Sequence, residues 1–227
     1  KTSGAVLSSD NDVEILADGN ALFEQMLEDM SHADSFIHIQ YYIIRDDMLF
    51  RRMLQVCQEK VKQGVEVRIL FDAMGCRTVS RKLWKRVEEM GIYVAEFFPA
   101  LFRRFHLRIN YRNHRKIVVI DGEVAITGGI NIGDEYINVL ERFGYWLDSA
   151  VIIKGKAVKS FLAMFCAMWE FTTGKRIRMK NYITEYSVSA EGFVIPYADD
   201  PLNDKNPAEG LYMQILNTAQ KYVYIVT

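Results

Sequence analysis

Strands and helices alternate along the N-terminal half of the chain, and this alternation restricts the fold more than any other feature of the sequence. Segments rich in β-branched and aromatic residues are separated by segments whose apolar residues recur at helical spacing. Gly64 and Gly91 each follow a helical segment at the position of a C-terminal cap. The predicted strands in this half are residues 13–16, 36–44, 65–71 and 92–97. The pattern predicts an α/β domain with a mainly parallel sheet and helices on both faces.

The residues with the clearest chemical signature lie between His114 and Asn131, where the chain spells H-x-K-x4-D-x6-G-G-x-N. This spacing gathers the imidazole of His114, the ammonium of Lys116 and the carboxamide of Asn131 around one predicted pair of strands. An imidazole can attack phosphorus, and an ammonium and an amide can bind its non-bridging oxygens. Taken singly, such residues would be ordinary surface or turn residues. Their combined spacing indicates phosphodiester chemistry without a metal or other cofactor.

The same segment predicts a hairpin, because Asp121-Gly122 lies between two β-rich runs and favours a tight turn. Alternate residues of a strand share a side, so His114 and Lys116 are predicted to point to one side and Asp121 to the other. We therefore expect Asp121 to stabilise the turn and to make buried hydrogen bonds more than to take part in the reaction. Gly129 lets the returning strand pass close to a ligand.

The spacing resembles the signature of the phospholipase D superfamily, H-x-K-x4-D-x6-G-S/G-x-N, and the surrounding residues resemble bacterial cardiolipin synthases of the two-copy type. The closer resemblance lies in residues 36–47, 110–116 and 128–136; it covers most of residues 13–171 and resumes at 210–227. It implies a phospholipase D-type α/β fold, with a mainly parallel or mixed sheet flanked by helices on both faces. The activity implied is phosphatidyl transfer between two phosphatidylglycerol molecules, which gives cardiolipin and glycerol.

The resemblance also implies roles for individual residues. His114 would attack the phosphodiester and form a phosphohistidine, while Lys116 and Asn131 would bind the phosphate oxygens. Asp148, in a predicted strand at residues 146–153, is the position that fits an acid holding the imidazole in one tautomer. With Asp121 as the acid of the motif, these residues form the expected catalytic set.

Substrate contacts are expected from the segment before the motif. Residues 103–116 contain six cations and no acid, interleaved with aromatic side chains, which predicts a membrane-docking loop that includes Arg112 and Arg115. A packed loop that fills and covers the core is the alternative. A nucleic-acid groove would use the same residue types, but a sequence pI near 6.5 favours an anionic lipid over a long polyanion, so no nucleic acid is expected as a partner.

Two further substrate contacts are predicted on the strand at residues 36–44. His38, Gln40 and Tyr42 share one side of it, and this polar row either lines the site or forms a hydrogen-bonded row within the core. In the first case His38 and Tyr42 would contact substrate, together with Gly129 on the returning strand.

The C-terminal region indicates a repeat. Shifting the sequence by 186 residues places residues 26–41 over 212–227 with matched apolar spacing, although a chance helix–strand similarity is the alternative. We therefore predict a first catalytic domain at residues 1–195, a linker at 196–209 and the start of a second copy at 210–227. No second H-x-K occurs, so the general acid is expected from a missing C-terminal half or from a homodimer.

The wider context follows from composition and from the resemblance. The chain opens on Lys1 without a signal peptide, which suggests a missing upstream segment, and no apolar stretch reaches the roughly 18–20 residues of a spanning helix. Partners implied are phosphatidylglycerol and a membrane surface, with the domain at the bacterial cell membrane and facing the cytoplasm. Two other functions stay open: a metal-independent nuclease of the same superfamily, or a non-catalytic membrane-binding fragment.

Overall fold

The computed structural model describes residues 6–98, 112–142, 144–186, 188–199 and 207–225 of the 227-residue chain. Its strands are β1 (Asn11–Leu16), β2 (Phe36–Tyr41), β3 (Glu66–Asp72), β4 (Tyr93–Phe97), β5 (Ile117–Ile120), β6 (Val124–Gly128) and β7 (Ala150–Gly155). Its α-helices are α1 (Gly19–Ser31), α2 (Met48–Lys62), α3 (Arg81–Glu89), α4 (Val158–Thr173) and α5 (Pro207–Thr218).

The strands form one mixed sheet in the order β1-β7-β6-β5-β2-β3-β4. Pairing is parallel from β2 to β3 and from β3 to β4, where helices make the crossovers. The remaining pairs are antiparallel, because tight turns and longer loops reverse the chain. The predicted α/β class is confirmed. Parallel pairing is limited to β2, β3 and β4, which lie in the region where strands and helices alternate along the sequence.

Helices cover both faces of the sheet, as the sequence predicts. Helices α1, α2 and α3 pack on one face, against buried residues of β2 such as Ile37 and Ile39. Helix α4 packs on the other face, where Phe36, Val119 and Phe165 belong to a second core. The central strands β2 and β5 are buried on both sides, which explains the continuous apolar sequence of β5, while β2 also buries the polar residues His38 and Gln40.

Asp121 anchors the turn between β5 and β6 to the start of β2. Its φ of 52° and the φ of 72° at Gly122 are both left-handed, as an Asp-Gly hairpin turn requires. Its carboxylate accepts backbone hydrogen bonds from Asp34, Ser35 and Phe36 at 2.7, 2.9 and 2.8 Å. These bonds match the structural role expected for Asp121, and they place it at the far end of β5 from His114.

The C-terminal segment contains the predicted helix, α5, none of whose residues is buried. Residues 222–225, which the repeat predicts as a strand, form no strand because no edge in the described part of the chain pairs with them. The division into a catalytic domain, a linker and a second copy stays a prediction. Within the ranges given above, the helices are all too short or too polar to cross a membrane.

Candidate active site

His114 and Lys116 lie just before β5, at the edge of the sheet where β2 and β3 end. The Lys116 Nζ lies 3.0 Å from His114 Nδ1 and 2.9 Å from the His114 carbonyl oxygen, to which it donates. The ring of Tyr42, just beyond β2, lies 4.6 Å from the imidazole and 5.7 Å from Lys116 Nζ. The structure therefore brings together the predicted nucleophile, the predicted phosphate-binding ammonium and one predicted substrate contact.

The surroundings of this pair favour an unprotonated imidazole. Partial burial lowers the pKa of His114, the charge of Lys116 lowers it further, and Asp72 opposes both. Burial also lowers the pKa of Lys116 to about 8, while the carboxylate of Asp148 acts in the opposite direction. At neutral pH the ammonium thus remains charged and can donate to the lone pair of a neutral imidazole.

Asn131 joins the loop after β6 to the loop after β2. Its Oδ1 accepts a hydrogen bond from the backbone of Ile43 at 3.0 Å, and Ile132 N donates to the Ile43 carbonyl at 3.2 Å. Arg45 N in turn donates to the Ile132 carbonyl at 3.0 Å. Because the backbone uses the amide oxygen of Asn131, its NH₂ group is the part suited to bind an anionic oxygen.

Gly129 and Asp148 pack against each other beside Lys116. A Cβ at Gly129 would lie 2.3 Å from Asp148 Oδ1, so only glycine allows this approach. Asp148 lies in the loop before β7, outside the strand predicted for it. Among the described residues its carboxylate accepts from Ser149 N at 2.8 Å and Trp146 Nε1 at 3.5 Å, but not from the His114 ring. In this structure its charge therefore acts on Lys116.

A buried group that the sequence analysis did not select supports the segment before His114. Asp72, the last residue of β3, is fully buried and accepts from Asn113 N at 3.1 Å and from Arg112 Nη1 at 3.5 Å. Gln40 Nε2 donates to Asn113 Oδ1 at 2.8 Å. Ligand sites of α/β sheets lie at the carboxyl ends of parallel strands, so the position of Asp72 at such an end was the available signal.

Two predicted substrate contacts point elsewhere. His38 is fully buried, stacks on Phe165 at 4.5 Å and lies 3.2 Å from Glu66 Oε1, so it belongs to the core beneath α4. Burial lowers the pKa of His38, while Glu66 raises it. The Arg115 guanidinium donates to the Asp199 carbonyl at 2.9 Å. Of the polar row on β2, the structure brings only Gln40 and Tyr42 to the end where His114 lies.

The described residues contain no second imidazole at this site. His32 contacts the Glu28 carbonyl at the end of α1, His38 is in the core, and His106 lies outside the described residues. Residues 99–111 also lie outside them, so the membrane-docking loop stays a prediction. In the described ranges, no three His, Cys, Asp or Glu side chains are grouped to hold a metal ion.

Comparisons with known proteins identify the family of the chain. The family model described as "Cardiolipin synthase, PLD-like domain" matches residues 26–169. The chain is 41% identical over 230 residues to an uncharacterized protein of Streptococcus mutans, covering 100% of this chain and 50% of that protein. It is 34% identical over 225 residues to the major cardiolipin synthase ClsA of Bacillus subtilis, covering 98% and 47%.

Among solved structures, the fold is similar to Nuc of Salmonella typhimurium, a phospholipase D family member. The TM-score is 0.54 at 17% identity, over 74% of this chain and 99% of that one, a likeness of fold alone. The chain spans about half the length of the curated relatives that it matches.

Proposed function

The chain belongs to the family of phospholipase D-like domains of cardiolipin synthases, and on that premise we propose that it transfers a phosphatidyl group between two phosphatidylglycerol molecules. The products would be cardiolipin and glycerol. The observation that carries the proposal is the 3.0 Å approach of Lys116 Nζ to the His114 imidazole, which pairs a nucleophile with an anion-binding group. The relatives named cardiolipin synthase support the choice of substrate.

In the first step, a ring nitrogen of His114 attacks the phosphorus of one phosphatidylglycerol. A phosphorus–nitrogen bond forms, the bond from phosphorus to the glycerol oxygen breaks, and glycerol leaves with a proton from a general acid. Lys116 and the amide of Asn131 hold the non-bridging oxygens, where negative charge must be stabilised as the bonds exchange. Tyr42 packs beside the ring and limits its rotation.

In the second step, a glycerol hydroxyl of the other phosphatidylglycerol attacks the phosphohistidine. Its proton passes to the group that acted as acid in the first step, the phosphorus–nitrogen bond breaks, and His114 is regenerated. That acid–base group would be the histidine of a second H-x-K motif, supplied by a further segment or by a second copy of the chain. We place the reaction at the cytoplasmic side of a bacterial membrane.

A lipid substrate is also supported by the loop that precedes Asp148. Four large apolar side chains of this loop are exposed by half or more: Val139, Leu140, Tyr145 and Leu147. Such groups beside an anion-binding site suit a ligand with an ionic headgroup and acyl chains. The chain's net charge of -1 gives no general attraction for a long polyanion.

The proposal is tested with a phosphatidyl ester of p-nitrophenol, whose phenolate departs without protonation, so the test does not need the second histidine. We expect a burst of p-nitrophenol that approaches one equivalent per chain, with the phosphatidyl group attached to His114 in mass spectra through a phosphorus–nitrogen bond that acid breaks. His114→Ala should abolish both signals, and His32→Ala is the matched control that should keep them.

Three outcomes would overturn the assignment: an adduct on any other side chain, an undiminished burst in His114→Ala, or a burst that requires an added divalent cation. Metal-independent release of nucleotides from DNA, with no reaction of the lipid ester, would instead favour the nuclease alternative.

A further inference from the structure

The carboxylate of Asp72 is the most heavily hydrogen-bonded buried acid near His114. Its Oδ1 accepts from the backbone of Met74 at 2.8 Å and of Gly75 at 3.2 Å, which closes the turn after β3. Its Oδ2 accepts from Asn113 N at 3.1 Å, and Arg112 Nη1 lies 3.5 Å from Oδ1. One side of the carboxylate therefore serves the turn, while the other holds the residue directly before the nucleophile.

Asn113 is held from a second direction by β2. Its Oδ1 accepts from Gln40 Nε2 at 2.8 Å and from Arg115 N at 3.4 Å. Asn113 and Gln40 are both buried, whereas the His114 side chain reaches the surface. The backbone that carries the imidazole is thus fixed by the ends of two neighbouring strands, while the ring itself contacts Lys116 and Tyr42.

We propose that Asp72 is a positioning residue for His114, acting through Asn113 on the direction of the imidazole and through its charge on the ring itself. The proposal rests on the function proposed above, in which a ring nitrogen of His114 bonds to phosphorus. That bond leaves positive charge on the imidazole, and a nearby carboxylate stabilises it. Small displacements of a nucleophile slow a reaction about 10²-fold, so a rigid support matters.

The charge on Asp72 opposes the other groups that face His114. Burial and the Lys116 ammonium lower the pKa of the imidazole, and Asp72 raises it. Arg112 lies against Asp72, the Tyr42 ring lies against the imidazole, and Asp148 acts on Lys116. If Asp72 loses its charge, the pKa of His114 should fall, because only the lowering influences remain at full strength.

Asp72→Asn separates positioning from a purely structural role. Its amide oxygen can still accept from Met74 and Gly75, but its NH₂ group then faces the N–H of Asn113. We expect the burst rate constant with the p-nitrophenyl lipid to fall about 10- to 100-fold. The acid limb of the burst, which follows deprotonation of His114, should move to lower pH. The His114 ring signal in NMR spectra of the free protein should titrate at lower pH as well.

Two companion variants make the test decisive. Gln40→Met removes a hydrogen bond to Asn113 without changing charge, so it should slow the burst and leave the His114 titration in place. It also tests the support of Asn113 if Asp72→Asn does not fold. Asp10→Asn removes a carboxylate that pairs with Lys156 at the opposite edge of the sheet, and it should change neither readout.

An unchanged His114 titration in a folded Asp72→Asn protein would overturn the proposal, as would an unchanged burst in Gln40→Met. The NMR titration needs no substrate. Absence of a burst in the wild-type chain would therefore count against the proposed function, while the titration would still decide the role of Asp72.

Discussion

Replacing Asp121 with alanine should destabilise the fold far more than it damages the reaction. The carboxylate accepts backbone hydrogen bonds from Asp34, Ser35 and Phe36, and the bond to Phe36 is part-buried. We assign about 2 kcal/mol to that charged bond and about 0.5 kcal/mol to each of the two exposed ones. The φ of 52° at this position adds about 1 kcal/mol of strain for alanine. The total loss is about 4 kcal/mol.

Thermal and urea denaturation followed by circular dichroism would measure this loss. For a chain of this size, about 4 kcal/mol corresponds to a fall in melting temperature of roughly 8–16 °C. Asp121→Asn should lie between the wild type and Asp121→Ala, since an amide keeps one acceptor and tolerates a left-handed φ. Asp18→Ala, which removes one exposed capping bond, should cost about 1 kcal/mol.

The burst per folded molecule should stay close to wild type in Asp121→Ala, measured at a temperature where the variant remains folded. The reasoning would be refuted by a variant that melts within about 2 °C of the wild type yet has lost its burst. That result would mean that Asp121 acts at the reacting atoms and not at the turn.

Two further predictions concern the groups around the imidazole. The pKa of Lys116 is lowered to about 8, so its ammonium is present below that pH and lost above it. The burst rate constant should therefore decline as the pH rises through about 8. Lys116→Arg should abolish this decline, because the guanidinium stays charged. Gly129→Ala places a Cβ 2.3 Å from Asp148 Oδ1 and should displace the Asp148 side chain. We expect the burst to slow about 10-fold while the melting temperature changes little. An unchanged rate would show that the contact between Gly129 and Asp148 is unimportant.

The spacing of the motif predicted that His114 and Lys116 lie close together. His114 and Lys116 are two residues apart just before β5, and the Asp-Gly turn after β5 returns the chain toward Asn131. His114 and Lys116 are close in sequence, whereas Asn131 is held by the backbone of Ile43 in the loop after β2. The roles of Asp121 in the turn and of Gly129 in a close approach follow from the same local rules.

The residues that support His114 could not be found in this way. Asp72 and Asn113 are 41 positions apart, and Gln40 and Asn113 are 73 apart. Their contacts arise only when β3 pairs with β2 and β2 with β5. The sequence also left the environment of His38 undecided. The alternation of side chains along a strand does not say whether a polar row contacts solvent, a ligand or a helix.

The sequence by itself determined the α/β class and the hairpin, and it predicted the groups of the candidate site, because short-range periodicity and turn preferences act within a few residues. Only the tertiary structure decided which strands pair antiparallel, that His38 is buried under α4 and that Asp72 lies behind the segment that carries His114. The physical reason is that strand order and helix packing are set by burial summed over the whole sheet, and no single segment of the sequence encodes that sum.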